Sequence, residues 1–553
     1  MAITVDLCVD KKLLNHDFEK YQFCSEKVPI KYEKKLEAEI LQLEPNANQA
    51  SLLEARLFAF HNNLFKNPFD STCWFIDNNG SIWRYDASDG SLDKIYTSKK
   101  IHSNALVYNS SISFASKNIA VINDGNGALT FLKLENDKSV NILLIDEIDE
   151  TVILDARLIE LTSKIIVALY KVEKNQGKTF SRLIFLFYNY KTNFEDKSIT
   201  LKLVQKQTAK VSKVVENLYI EKTGTFFYIT SQNEIKFDFD SVNPIKNNDN
   251  TTIDNREIKI PRYCWSQDKD SITVYIKIPK KYDNVKAKVE TTHTSISILV
   301  GDLTLLDGQT THRLESDLTI WKQNDDTLEV ELSKYESGLM WNELIVGNDE
   351  GEYLPNQELA AEIHARLSHL CSDQLVTNIQ GQPTIGFNSE QLEDCDVSGV
   401  QNLLQRCNFN THSITHIIML DVGNHIIYSE KQVSTQAVCI RYNHDGCLWI
   451  IEESKDGDWD VKHVNTFPAF GYVEASKTNK KFCISSPDGS FIAIIEHTRN
   501  VFLYERPERG AKIAKQIIVE IGNDESSIIG AAFVDKCLII LTKNTLYQLQ
   551  VYS

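Results

Sequence analysis

The chain has 553 residues, 42% hydrophobic and 24% charged, enough for one large or several ordinary globular units. A formal net charge of −17 argues against a nucleic-acid binder, because no basic stripe is present to displace counterions from phosphates. No apolar run reaches the roughly 18 residues of a membrane-spanning helix, and the start MAITVDLCVDKK lacks the basic-then-apolar form of a secretion signal, so no membrane insertion is expected. The 11 cysteines are scattered without a CxxC pair, which fits reduced thiols in a protein of cytoplasm and nucleus.

Residues 1–60 open on a short strand, ITVDLCV, and a tract around EKKLEAEILQLEP whose Leu36, Ile40 and Leu43 suit either helix or extended chain. From Ser71 a rhythm sets in. STCWFIDNNGSIWRYDA reads as strand, Asn-Asn-Gly turn, strand, and KNIAVINDGNGALTFLKLE repeats the form about forty residues on. SKIIVALYKV with FSRLIFLFYNYK is a third strand pair and TGTFFYITSQNEIKFDFD a fourth. Strand pairs recurring at that interval mark β-propeller blades, although the Gly-His and Trp-Asp signatures of WD repeats are absent. A β-sandwich would rarely need so many strands. The Asn- and Asp-rich stretch 241–260 reads as a linker.

Between 261 and 354 the pattern tightens. Ile272, Val274, Ile276 and Ile278 alternate with polar residues, as do Ile296, Ile298 and Val300, and then Leu328, Val330 and Leu332. Period two buries one face of each strand, and LLDGQ and NDD read as hairpin turns, which predicts a compact antiparallel sandwich. The stretch holds 10 Lys and Arg against 17 Asp and Glu, a net −7 that reads as a solubilising surface or as one that selects basic partners. PNQELAAEIHARLSHLC follows, its Leu359, Ile363, Leu367 and Leu370 forming one helical stripe capped by Asn356; 371–413 is a loosely patterned return containing LEDCD. The rhythm resumes at Thr415 with THIIMLDVGNHIIYSE, AVCIRYNHDGCLWIIEES, KKFCISSPDGSFIAIIEHTRNVFLYERPE and SSIIGAAFVDKCLIILTKNTLYQLQVY.

The sandwich stretch resembles the CS domain of the NudC family: Trp265 opens its first strand, and DDTLEVELSKYESGLMWNELIVGNDEGE is similar to the NudC version, with Lys334, Met340, Trp341 and an acidic Gly347-to-Glu352 tail at the matching places. One departure is that the Trp of the preceding strand, Trp321, looks displaced by one residue, with Ile320 in its place. LLNHDFEKY, LEDCD and FGYVEASKTNKKFCISSPDGS are also similar to a member of the family, so the likeness spans nearly the whole chain. The expected fold is all-β: a β-propeller of about seven blades (1–240 and 414–553), a CS-type antiparallel β-sandwich (261–354) inserted between two of them, and a following α-helix with return segment (355–413). Strands from the two termini are expected to share a blade and close the ring, leaving no sheet edge there.

Chemical motifs are weak. Asp456, Asp458 and Asp460 open like a calcium loop, but Val461 occupies the place of the turn glycine. Cys439, His444 and Cys447 match no zinc spacing, His364 and His369 do not share a helix face, and GxxxxGK, GxSxG and HExxH are absent. No enzyme and no cofactor are expected; an enzyme would require His and carboxylates clustered in the propeller channel.

Trp74, Trp83 and Trp449 are expected between blades, and Trp265 and Trp341 mainly in the sandwich core. Tyr263 and Met340 are candidates for exposed apolar contacts, and Trp459, in DGDWD, for an exposed loop tip. Tyr263, Trp265, Lys334, Met340, Trp341, Glu343 and Trp459 make up the candidate protein-binding set. The resemblance implies a co-chaperone for client proteins, often WD-repeat propellers, alone or with the ninety-kilodalton heat-shock chaperone, and a tie to dynein. A scaffold whose working surface is the propeller is the other reading.

Overall fold

The computed structural model describes residues 2–245, 263–353 and 402–551, apart from short internal stretches, the longest being 99–106, 193–198 and 454–458. Two compact units form: Met1–Ile245 with Phe387–Ser553, and Lys246–Gly386. The described residues form nine sheets; two lie within 263–353 and the other seven are the blades of a β-propeller.

Each blade is a meander whose first strand lies at the axis. Those first strands are, for blades 1 to 7, Phe65–Lys66, Ser111–Ser116, Val152–Ile159, Val215–Ile220, Ile426–Lys431, Lys480–Ser485 and Ile528–Val534. Seven core clusters fill the seven spaces between neighbouring blades. The blades can stack because both faces of their central strands are apolar, as in Ile119–Asn123, all of it buried. Rings meet across the joints: Trp74 on Phe114 at 5.0 Å between blades 1 and 2, Phe131 on Tyr188 at 4.7 Å between 2 and 3, and Phe185 on Phe227 at 4.8 Å between 3 and 4. Trp74, Trp83 and Trp449 lie in these joints as expected.

The N-terminus closes the ring. Ile30–Lys35 pairs antiparallel with Thr545–Gln550 as the outermost strand of blade 7. Before that the chain adds two more outer strands, both parallel: Ile3–Thr4 on Ser413–Leu420 of blade 4, and Lys20–Phe23 on Ile513–Glu520 of blade 6. Between them Val5, Leu7, Val9 and Leu14 pack on the core between blades 4 and 5. The first 35 residues thus form a strap that covers three sheet edges. Residues 36–43 are not helical; the helix here is α1, Leu52–Ala59, started by a capping box of Ser51 and Glu54.

The insertion falls within a blade rather than between two. Blade 4 takes Val215–Ile220 and Phe226–Ser231 from before the inserted domain and Asn402–Asn408 and Ser413–Leu420 from after it, with Phe226–Ser231 paired directly to Asn402–Asn408. Two expected strand pairs are corrected accordingly. Phe226–Ser231 belongs to blade 4, while Lys236–Asp240 crosses to become the fifth strand of blade 3. Ser413–Leu420 and Ile426–Lys431 likewise sit in successive blades. The propeller resumes at Asn402, inside the segment read as a loose return. The expected helix over 356–370 lies outside the described residues, as does most of the linker.

Residues 263–353 form a sandwich of a five-stranded and a three-stranded sheet. In chain order the first sheet contributes Tyr263–Gln267, Ser271–Lys277, Ile320–Asn324, Thr327–Ser333 and Gly351–Tyr353; the second is Ala287–Thr291, Ser295–Val300 and Leu303–Gln309. All ten alternating residues named from the sequence are buried between the two sheets. LLDGQ is part of the Leu303–Gln309 strand and not a turn; the reversal lies at Gly301 and Asp302, since Val300 pairs with Leu303.

Candidate protein-interaction site

The inner row of the first strand is Tyr263, Trp265 and Gln267, and that of Thr327–Ser333 is Leu328, Val330 and Leu332. Both rows end in a polar residue that period two carries inward: Gln267, and Lys334 just past its strand. Lys334 is 6% exposed, and its ammonium donates to Gln267 Oε1 at 2.9 Å, the Asp268 carbonyl at 2.7 Å and the Leu339 carbonyl at 2.8 Å. Gln267 Oε1 also accepts from the Trp341 N–H, and Gln267 Nε2 donates to the Trp341 carbonyl, both at 2.8 Å. Burial pulls the Lys334 ammonium below the usual lysine range; Asp268 and Asp270 partly offset that. Gly338, at φ +84°, lets the intervening loop turn back so that its N–H reaches the Lys269 carbonyl at 2.7 Å. The loop is clasped to the sandwich, with the Trp341 ring buried against His312 at 5.5 Å.

This geometry reassigns most of the sequence candidates. Trp265 and Trp341 are core residues, as mainly expected. Tyr263 is buried rather than exposed, because it shares the inner face of its strand with Trp265; the alternation two residues on already carried that signal. Lys334 is spent on the clasp and offers no proton to a partner. Glu343 is half-buried, its carbonyl accepting from Thr311 Oγ1 at 2.7 Å. Met340 lies outside the described residues. Trp459 is no loop tip: it is 7% exposed and begins the outer strand of blade 5, its ring 5.5 Å from Tyr228 and 6.0 Å from His416 in the joint with blade 4. The set therefore does not converge on one surface.

What the sandwich presents instead is its edge. Ile320–Asn324 pairs with Thr327–Ser333 on one side and, among the described residues, with no strand on the other. Ile320 pairs across from Glu331 on the outer face and is 66% exposed. Trp321 pairs across from buried Val330, so it lies in the inner row at the margin of the core, 41% exposed. Leu318, in the turn leading into this strand, is exposed too. Tyr335, also exposed, lies under the Arg313 guanidinium at 4.5 Å. Gln323 ties the strand to the other sheet by accepting from the Ala287 N–H at 2.8 Å and donating to the Val285 carbonyl at 2.9 Å. A pinned, apolar, unpaired strand can add a partner by backbone pairing or side-chain contact. Among the described residues no three His, Cys, Asp or Glu are grouped to hold a metal ion.

A β-propeller interrupted by a β-sandwich of this kind defines a class, and comparison fills it in. The family model of the CS domain matches residues 261–334. The mouse (Mus musculus) protein named NudC domain-containing protein 1 is 26% identical over 586 residues, covering 100% of this chain and 99% of that one. The Xenopus laevis protein of the same name is 24% identical over 587 residues, covering 99% and 98%. Among solved structures, the Myceliophteria thermophila Cps50 (Swd1) β-propeller domain covers 89% of this chain and 96% of its own, at 7% identity and a TM-score of 0.39. The chain is a propeller protein with a CS domain. The resemblance read from its sequence holds: the chain is similar over its full length to proteins named NudC domain-containing protein 1, and it carries the CS domain.

Proposed function

We propose that the protein is a non-enzymatic co-chaperone of the NudC type, acting in cytoplasm and nucleus on client proteins that include WD-repeat propellers. The observation that carries the reading is the edge of the sandwich that no described strand covers, where Ile320 and Trp321 stand exposed on the strand and Leu318 in the turn leading into it. Exposed apolar groups fixed by a packed sheet bind a partly folded strand at low ordering cost, which suits transient capture of a client. The ninety-kilodalton heat-shock chaperone is the expected co-worker, and dynein-linked assemblies a place where such clients are used. No nucleotide, metal or nucleic acid is needed.

The test follows the yield of soluble WD-repeat propeller after dilution from denaturant, with the intact protein and with an Ile320→Asp/Trp321→Ala variant. Protection by the intact protein and its loss in the variant support the reading. Equal behaviour of the two, together with recovery of one stoichiometric complex from extract by both, replaces it with the scaffold reading.

A further inference from the structure

The first strands of all seven blades enclose an axial cavity of about 1020 Å³. Two ion-paired lysines cross it. Lys66 of blade 1 reaches Glu430 of blade 5, and Lys431 of blade 5 reaches Asp155 of blade 3 and the Ala156 carbonyl. These blades are not neighbours in the ring, so the side chains bridge the lumen and make it a pocket rather than an open tunnel. Helix α1 supplies Leu53, Arg56 and Leu57 to its wall, and the segment around a second helix, Phe470–Ala475, supplies Glu474 and Lys477.

The charge of this wall runs against that of the chain. Seven Lys and Arg line the cavity against four Asp and Glu, in a protein whose net charge is −17. Lys66 pairs with Glu430, Lys431 with Asp155, and Lys480 with Glu474. Over the whole lining, positive side chains exceed negative ones by three. Arg441 donates to the Asn443 carbonyl at 3.0 Å, and the Lys477 ammonium lies 4.7 Å from the Phe502 ring centre, so their described partners are neutral. Low-dielectric walls focus such a field into the cavity.

We infer that the propeller cavity binds a small molecule carrying two or more phosphate or carboxylate groups. Its volume suits a small ligand, the crossing ion pairs stop a peptide from threading through, and the guanidinium groups of Arg56 and Arg441 match the planar fork of phosphate or carboxylate oxygens. This site is independent of the sandwich edge and of the co-chaperone reading.

The experiment is calorimetric titration of the full chain with inorganic tripolyphosphate, citrate and a hexaglutamate peptide at matched ionic strength. The comparison variants are Arg56→Gln/Lys477→Gln in the cavity and Lys288→Gln/Lys322→Gln on the sandwich. One-to-one binding of tripolyphosphate or citrate is expected; which of the two binds tighter tells phosphate from carboxylate. The cavity variant is expected to weaken it about tenfold or more, as loss of charge-assisted hydrogen bonds does, while the sandwich variant leaves it unchanged. Melting without ligand checks that the cavity variant folds; should it not, Arg441→Gln takes its place. Absence of saturable binding, equal binding by both variants, or tighter binding of hexaglutamate overturns the inference.

Discussion

Arg406 and Glu221 form a two-point ion pair, Nε to Oε1 at 2.7 Å and Nη2 to Oε2 at 3.2 Å, between residues 185 positions apart that flank the inserted domain. Both side chains are almost wholly buried, at 1% and 2% exposure, and the Arg406 guanidinium lies 3.9 Å from the centre of the Phe226 ring. The pair ties the blade-4 strands that precede the insertion to those that follow it. Removing one partner leaves a charge buried without its mate, which costs about 3–5 kcal/mol, whereas replacing both by apolar residues costs far less. Arg406→Ala is therefore expected to lower propeller stability by that amount, and Arg406→Leu/Glu221→Leu to recover most of it. Denaturant unfolding of the three proteins checks this; equal losses in single and double variants would sink the account.

A second expectation concerns the insertion itself. Phe226–Ser231 and Asn402–Asn408 are antiparallel neighbours, with Ser231 opposite Leu403, so the inserted unit lies in the connection between two strands that pair directly. Replacing 246–386 by a short Gly-Ser loop keeps every propeller strand, including Lys236–Asp240 on blade 3. The shortened chain is expected to melt no lower than the propeller transition of the whole protein, because loop closure costs less as the loop shortens. A collapse of the far-ultraviolet signal in the deletion would show that the ring depends on its insert.

The strap predicts a graded response to truncation. Removing residues 2–24 takes away two parallel outer strands but leaves Ile30–Lys35 on blade 7. That chain is expected to stay folded with a modestly lower melting temperature and a greater tendency to associate through the bared edges of blades 4 and 6. Removing residues 2–36 opens the ring at blade 7 and is expected to abolish cooperative melting. Light scattering and calorimetry on the two truncations distinguish these outcomes.

The strands and their rhythm were legible because burial in a blade imposes local periodicity. The turns were too: Asp77 of DNNG accepts from the Asn79 and Ser81 N–H groups and from Trp83 Nε1, and all three partners are near in sequence. What the sequence hid is which strand pairs with which when the partner lies far away. The Phe226–Ser231 strand has two candidate neighbours with similar patterns, one ten residues on and one beyond the insert, and period two cannot choose between them. Asn402–Asn408 was missed because its Gln405 and Arg406 are buried polar residues whose partners, Ser231 and Glu221, lie on the other side of the insert. Trp459 was misplaced because its flanking acids look solvated while its own ring enters a joint between blades. Lys334 and Gln267 were within reach, since each continues a period-two row by one step. The SLLE capping box of α1 was equally available.

Within the sandwich, core and edge are expected to separate cleanly. Trp341→Ala empties a buried ring site and releases the loop clasped by Lys334, costing about 3–5 kcal/mol. Lys334→Met strips the Asp268 and Leu339 carbonyls of their donor and is expected to cost about 1–3 kcal/mol. Ile320→Asp, on an exposed outer face, is expected to stay within about 0.5 kcal/mol of the parent. Unfolding of the deletion-free chain, followed by hydrogen exchange in 263–345, reads all three. A destabilised Ile320→Asp would mean that this strand is held by its own side chains and is not poised for a partner.

His61 is expected to make the fold sensitive to acid. Its Nε2 lies 3.1 Å from the Ser110 carbonyl, in the wall of the axial cavity. Burial pushes the imidazole down to about 4, with Lys481 acting in the same direction and the Ser110 carbonyl opposing both. In the unfolded chain it titrates near its ordinary value of about 6.5. Between those two values the unfolded state holds a proton that the folded state refuses, so stability falls as pH drops through that window and this contribution levels off below about 4. The loss from this one group is on the order of 1–3 kcal/mol, because the imidazole is only half-buried and partly screened. His61→Gln keeps a donor for the Ser110 carbonyl but does not titrate, so its stability is expected to decline less steeply than the parent's between pH 7 and pH 4.5. Urea midpoints measured across that range decide the matter: curves that stay parallel would place the acid sensitivity elsewhere, and a parent curve that falls more steeply than the variant's would place it on His61.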